Sequence, residues 1–339
     1  MKKLKLFIFL FVFVNIVFYA QGVQQFAEIG DLELENGQKV LDCKIGYRTF
    51  GKLNEDKSNI IIFLSYFNGT SQATSHSLGE GKLVDTTKFY VIAFDALGNG
   101  ISTSPNNSQK QSLNNFPPFT IGDMVKSQYI ALTKNLNINH IYCVMGGSMG
   151  SMQAYEWVVA YPDFMDKAIP YVPTPYLTAI DKMLWSISLE VIKIGENYNV
   201  PDKDINKILN LMINFTARTP KEFNKLVDVN KFDEYLARFD HDASTIFPPI
   251  CWKYQLISMI NHDITRNFNH DKEATGKHVK AEILSIVASQ DHILNPASAM
   301  DFAKYSKGRL YVLDNDGGHQ AVGNEMETVG KVIDEFLKK

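Results

Sequence analysis

The chain has 339 residues, 45% of them hydrophobic and 21% charged, with 34 Lys and Arg against 37 Asp and Glu. That balance is ordinary for a globular protein and excludes disordered and fibrous classes; a core of this size needs no disulfide or metal to hold it. A net charge of −3 without a long basic run argues against nucleic acid and anionic membrane surfaces as partners.

Residues 1–20 start with Lys2, Lys3 and Lys5 and run on almost wholly apolar from Leu6 to Ala20, broken by Asn15. A basic start followed by an apolar run of this length reads as a signal peptide, with cleavage after Ala20 and export to the periplasm or beyond. The run is short for a spanning helix, which needs about 20 apolar residues. Phe18 stands where a cleavage site prefers a small residue, so an uncleaved N-terminal anchor is the alternative.

Short apolar runs bounded by turn residues follow at 60–64, 89–94, 141–145, 283–288 and 310–313, and read as buried strands. A helix is expected over 121–136, where Met124, Tyr129, Leu132 and Leu136 recur at helical spacing, and another from Ser148 to about Tyr161, before Pro162. Strands alternating with helices predict an α/β architecture, a mostly parallel central sheet flanked by helices. From 175 to 276 strand-like runs disappear and amphipathic helical stretches take over. The expected organisation is therefore 21–174 as the first part of the core, 175–276 as a helical cap insertion, and 277–339 as the second part of the core. Cys43, Cys143 and Cys251 have no metal-ligand spacing and read as three packed thiols. No P-loop or dinucleotide fingerprint is present, and Gly98-Asn99-Gly100 reads as a loop over the site.

The chemistry centres on Gly146-Gly147-Ser148-Met149-Gly150. This is G-x-S-x-G placed between a strand and a helix, the setting of a nucleophile on a sharp turn, where larger side chains at the glycines would collide with the flanking elements. A serine needs a base. In folds with this turn the acid and then the histidine follow the serine in the chain. Asp291 lies just past the 283–288 strand and His319, in Gly317-Gly318-His319-Gln320, past the 310–313 strand. Both would reach the sheet edge that carries Ser148. His319 would shuttle the serine proton, and Asp291 would orient the imidazole. Of the competing histidines, His140 precedes its strand, His241, His262 and His270 fall in the cap block, and His292 precedes the last strand; His76 and His278 complete the set. Asp314 and Asp316 are the rival acids. The oxyanion hole would take the N–H of Met149 and that of Phe67, with Tyr66 second, from the Ser65-Tyr66-Phe67-Asn68-Gly69 loop. A plain β-turn around Asn68-Gly69 is the competing reading.

The segments 45–54, 121–128 and 146–157 resemble the homoserine O-acetyltransferase family, a branch of the α/β-hydrolase fold superfamily, the last being Gly-Gly-Ser-Met-Gly-Ser-Met-Gln-Ala-Tyr-Glu-Trp. The resemblance implies the same triad, a helical cap, the oxyanion loop at Phe67 and a homodimer formed through the cap. Departures fall where substrate would be read. Gln320 replaces the Asp that in the family follows the catalytic His and meets the homoserine amine. Gly122 replaces an Arg. Arg218, Arg238 and Arg266 are candidates for the cap arginine that would pair with the homoserine carboxylate. Tyr66 and Gln320 are the expected substrate contacts.

The main expectation is an exported serine hydrolase cleaving an acyl ester, thioester or amide through an acyl-enzyme, with no cofactor. Acetyl-CoA is an intracellular metabolite, so water is the expected acceptor outside the cytoplasm. The alternative is an acyltransferase using acetyl-CoA as co-substrate. A non-catalytic binding protein is disfavoured by the intact Ser148, Asp291 and His319.

Overall fold

The computed structural model describes residues 22–240 and 247–338; the expected signal segment and His241 lie outside the described residues. Eight strands form one sheet: β1 (Gln25–Glu33), β2 (Lys39–Phe50), β3 (Ile60–Leu64), β4 (Tyr90–Phe94), β5 (Ile141–Gly147), β6 (Met165–Tyr171), β7 (Glu282–Ala288) and β8 (Gly308–Leu313), in the spatial order β1-β2-β4-β3-β5-β6-β7-β8. Pairing is parallel from β4 through β8, whereas β1 with β2 and β2 with β4 are antiparallel.

The strand period of two divides the core between the two faces. Ile60, Ile62 and Leu64 face one layer with the helices Ile121–Ile130 and Met149–Ala160, while Ile61 and Phe63 face the other with Val329, Ile333 and Phe336 of the helix Met326–Leu337. A sheet covered on both faces is the reason its parallel strands read as unbroken apolar runs.

Three strands escape the sequence reading. β1 and β2 are an antiparallel pair with irregular register around Gly30, mixing Lys, Asp and Arg with apolar residues at the sheet edge. β6 carries Lys167 and Pro170 inside a strand. Lys167 is buried with its ammonium 4.7 Å from the centroid of the Phe336 ring and 3.6 Å from Glu282, so its stem packs as an apolar group. The helix expected over 121–136 is α-helical to Ile130 and then widens into a π-turn over Ala131–Asn135. All three cysteines are buried and free.

Between β6 and β7 the described chain is helical: Ala179–Tyr198, Asp202–Thr216, Pro220–Leu226, Phe232–Ala237 and Pro249–Ile260, then Lys272–His278 before β7. This block adjoins the carboxyl ends of the parallel strands, where ligands bind in open α/β sheets.

Candidate active site

Ser148 joins β5 directly to the helix Met149–Ala160. The bend forces it to φ 55° and ψ −123°, a backbone state that costs a side-chain-bearing residue about 1–3 kcal/mol. Contact dictates the glycines around it. A Cβ on Gly146 would stand 2.6 Å from the Gly150 carbonyl oxygen, one on Gly150 2.5 Å from the Leu64 carbonyl oxygen, and one on Gly147 2.1 Å from the Tyr171 ring. The Ser148 N–H donates to the Tyr171 carbonyl at 3.2 Å, which ties the turn to β6. The helix N-terminus beneath the serine favours negative charge.

Asp291 and His319 are brought together as their positions after β7 and β8 predict. His319 Nδ1 lies 2.7 Å from Asp291 Oδ2. The other carboxylate oxygen accepts the N–H groups of Ile293 at 2.8 Å and Leu294 at 3.0 Å, so the buried acid is fully partnered and held in one orientation. This bond selects the tautomer with the proton on Nδ1, leaving Nε2 as the base. Ser148 and His319 line the same cavity, of about 500 Å³, without a hydrogen bond between them. Catalytic hydrogen bonds of this kind often tighten only in the reacting complex.

The Tyr66–Gly69 segment is the turn that its Asn-Gly pair suggests: Gly69 N–H donates to the Tyr66 carbonyl at 2.9 Å and Asn68 sits at φ 59°. The turn leaves the Phe67 N–H without a protein acceptor among the described residues, and the Met149 N–H at the helix start is equally free. The Phe67 ring is held by the cap, 4.8 Å from the Trp252 centroid and 6.1 Å from that of Trp185. From below, Asn99 donates to the Gly69 carbonyl at 3.1 Å and to buried Asp95 at 3.2 Å, and Asp95 accepts the Ser71 N–H at 2.7 Å. The 98–100 loop therefore underpins the Tyr66–Gly69 turn. It does not cover the site as the sequence suggested, because Asn99 turns inward to satisfy Asp95.

Tyr66 and Gln320 both line the cavity. Among the described residues none of the rival histidines does. His140 pairs with Asp166 at 3.2 Å, His270 with Asp263 at 2.8 Å, and His278 Nε2 lies 3.1 Å from the Val159 carbonyl. His262 is buried; His76 and His292 are exposed. Asp314 accepts the Ser289 hydroxyl, and Asp316 pairs with Lys221. Nor does any of the three arginines reach the cavity. Arg266 is clamped between Glu156 and Glu35, each at 2.7 Å, while Arg218 and Arg238 line a separate hollow between cap helices.

Sequence reasoning missed the walls. Tyr171 and Val172 enter from the end of the unread β6, and Trp185, Asn210, Ile213 and Trp252 from cap helices, where an aromatic or an asparagine at helical spacing looks like packing. Val172 adopts φ 38°, a strained state for a β-branched residue. Burial pushes the Tyr171 phenol up, away from ionisation at neutral pH.

The chain matches the alpha/beta hydrolase fold family over residues 60–188. It is 29% identical over 340 residues to a probable esterase of Corynebacterium glutamicum, spanning 94% of this chain and 96% of that protein. It is 30% identical over 358 residues to a homoserine O-acetyltransferase of Nautilia profundicola, spanning 91% of this chain and 96% of that protein. The crystal structure of an acetylester hydrolase from Corynebacterium glutamicum aligns with a TM-score of 0.86 at 25% identity, over 94% of this chain and 97% of that one. With this sheet, this strand-to-helix turn at Ser148 and identity sustained over nearly the whole of both chains, the protein belongs to the homoserine O-acetyltransferase family of α/β-hydrolase-fold enzymes.

Proposed function

We propose that the chain is an exported serine hydrolase that cleaves small, uncharged acyl esters. Ser148 Oγ attacks the ester carbonyl while His319 Nε2 takes its proton and Asp291 stabilises the imidazolium. The Phe67 and Met149 N–H groups receive the oxyanion. His319 then returns the proton to the departing alcohol, leaving an acyl-serine, and a water activated by the same imidazole releases the acid and restores Ser148.

The observation that carries this reading is the lining of the Ser148 cavity, uncharged among the described residues. Homoserine is a zwitterion, and burying its ammonium and carboxylate without counter-charges costs several kcal/mol for each ion. A neutral ester meets no such penalty. The esterase and acetylester hydrolase among the relatives support the same choice. The acyltransferase reading, with acetyl-CoA as donor and homoserine as acceptor, draws its support from the Nautilia relative. Export rests on the basic and apolar character of residues 1–20.

We also propose that the cap forms a homodimer. Ile180, Ile187 and Ile194 are exposed at a strict seven-residue spacing on the helix Ala179–Tyr198, flanked by exposed Met183 and Tyr198. That is the pattern of a seam that pairs with a second helix of the same kind.

Purified protein given p-nitrophenyl acetate, with and without homoserine, tests the reaction. Turnover in water alone, abolished in Ser148→Ala by several orders of magnitude, is the expected result. Product formed only when acetyl-CoA and homoserine are both present would overturn it in favour of the acyltransferase.

A further inference from the structure

Asp181 takes no part in the triad, yet it is bonded to the loop that carries the triad acid. It stands in the first turn of the cap helix Ala179–Tyr198 and is 2% exposed. Its Oδ2 caps its own helix, accepting the N–H and the hydroxyl of Thr178, both at 2.8 Å. Its Oδ1 reaches out of the cap and accepts the Asn295 N–H at 2.8 Å. Asn295 follows Ile293 and Leu294, whose N–H groups donate to Asp291. Two buried carboxylates thus divide three consecutive amides of one loop. Burial raises the pKa of Asp181 and the Asp291 charge adds to the rise, a cost that a helix cap alone does not require. One turn further along the same helix, Trp185 packs on Phe67 and lines the cavity.

We propose that Asp181 is a positioning residue: through Asn295 it pins the Asp291 loop to the cap, so that the seat of the cap sets the alignment of Asp291 and of the imidazole it holds. The inference rests on the triad reading above.

Asp181→Asn keeps the shape and one acceptor but weakens the pin. The expected result is a fall in kcat of about 10- to 100-fold for p-nitrophenyl acetate, with KM nearly unchanged, as for a reacting group displaced by a fraction of an ångström. Thr178→Ala is the control. It removes the hydroxyl from the cap but leaves the Asn295 bond in place, so it should lower Tm and leave kcat at the wild-type value. Asp181→Glu, which keeps the charge and shifts the oxygens by a methylene, should reproduce the kcat loss, and it stands in if the Asn variant does not fold. Wild-type kcat in the Asp181 variants, or an equal loss in Thr178→Ala, would overturn the proposal. If the wild type turns over no ester, the functional reading fails on its own. The rate at which a fluorophosphonate labels Ser148 then reports imidazole alignment directly: slower labelling in Asp181→Asn supports the pin and an unchanged rate refutes it.

Discussion

Gly150 offers the sharpest test of the oxyanion geometry, because an added methyl group there would meet backbone and not a movable side chain. The Cβ of Gly150→Ala would lie 2.5 Å from the Leu64 carbonyl oxygen and 3.3 Å from that of Ser65. Restoring an ordinary contact of 3.4 Å demands a separation of about 0.9 Å between the start of the helix Met149–Ala160 and the end of β3. Leu64 leads straight into Ser65, Tyr66 and Phe67, so the displacement falls on the gap between the Phe67 and Met149 N–H groups. Oxyanion donors act at 2.7–3.1 Å, and loss of one costs about 10²- to 10³-fold in kcat. A displacement of this size should therefore lower kcat by about 10²-fold, with KM little changed, since the donors act on the transition state. Overpacking should also lower stability by about 1–3 kcal/mol. Steady-state kinetics with p-nitrophenyl acetate and a urea titration measure the two effects separately. Wild-type kcat in a folded Gly150→Ala protein would refute the placement of the oxyanion hole between these two elements.

Two further predictions concern pH and assembly. Burial, reinforced by the Arg266 charge, drives the His262 pKa down to about 3. The unfolded chain binds a proton near pH 6.5 that the folded protein refuses, so this stability is intact above that pH and declines as pH falls toward 3, by about 1.4 kcal/mol per unit. Urea midpoints from pH 7 to 4 should show that decline in the wild type and a shallower one in His262→Leu; equal slopes would contradict it. Ile187→Asp places a charge in the middle of the exposed cap seam and should yield a monomer in analytical ultracentrifugation with p-nitrophenyl acetate turnover retained, whereas a wild type that is already monomeric at tens of micromolar would dispose of the dimer.

The placement of the candidate site residues was legible because their positions follow from strand ends. β3, β5, β7 and β8 are apolar runs, and each delivers a site element at its carboxyl end: the Phe67 turn, Ser148, Asp291 and His319. What surrounds those residues was not legible, and the reason is physical. β6 hides its strand character behind Lys167 and Pro170, so Tyr171 and Val172 had no assigned place. Trp185 and Trp252 are spaced as core residues of amphipathic helices, and they are core residues; only the tertiary packing of the cap turns one side of each toward Ser148. The Asn99 loop was misread because Gly-rich turns after strands look alike whether they face ligand or support another loop, and the buried Asp95 carboxylate decides between the two.

The substitutions that separate this chain from the acyltransferase pattern act as a set. Gly122 stands where the family pattern has an arginine, and a Cβ there would stand 2.8 Å from Arg266 Nη2 and 2.4 Å from Glu35 Oε1, so the glycine makes room for that ion pair. Arg266, held by Glu35 and by Glu156 of the helix Met149–Ala160, is unavailable to a substrate carboxylate. Gln320 removes the complementary negative charge beside His319. A zwitterionic acceptor needs both charges answered, so restoring one alone should achieve nothing. Gln320→Asp is accordingly expected to form no O-acetylhomoserine from acetyl-CoA and homoserine, by mass spectrometry, while still hydrolysing p-nitrophenyl acetate. An unpaired carboxylate at that position should instead slow the reaction of neutral esters, since it must be desolvated as the substrate enters. Acetylhomoserine produced by this single substitution would mean that a cationic partner for the homoserine carboxylate already faces the cavity, and the argument from its uncharged walls would fail.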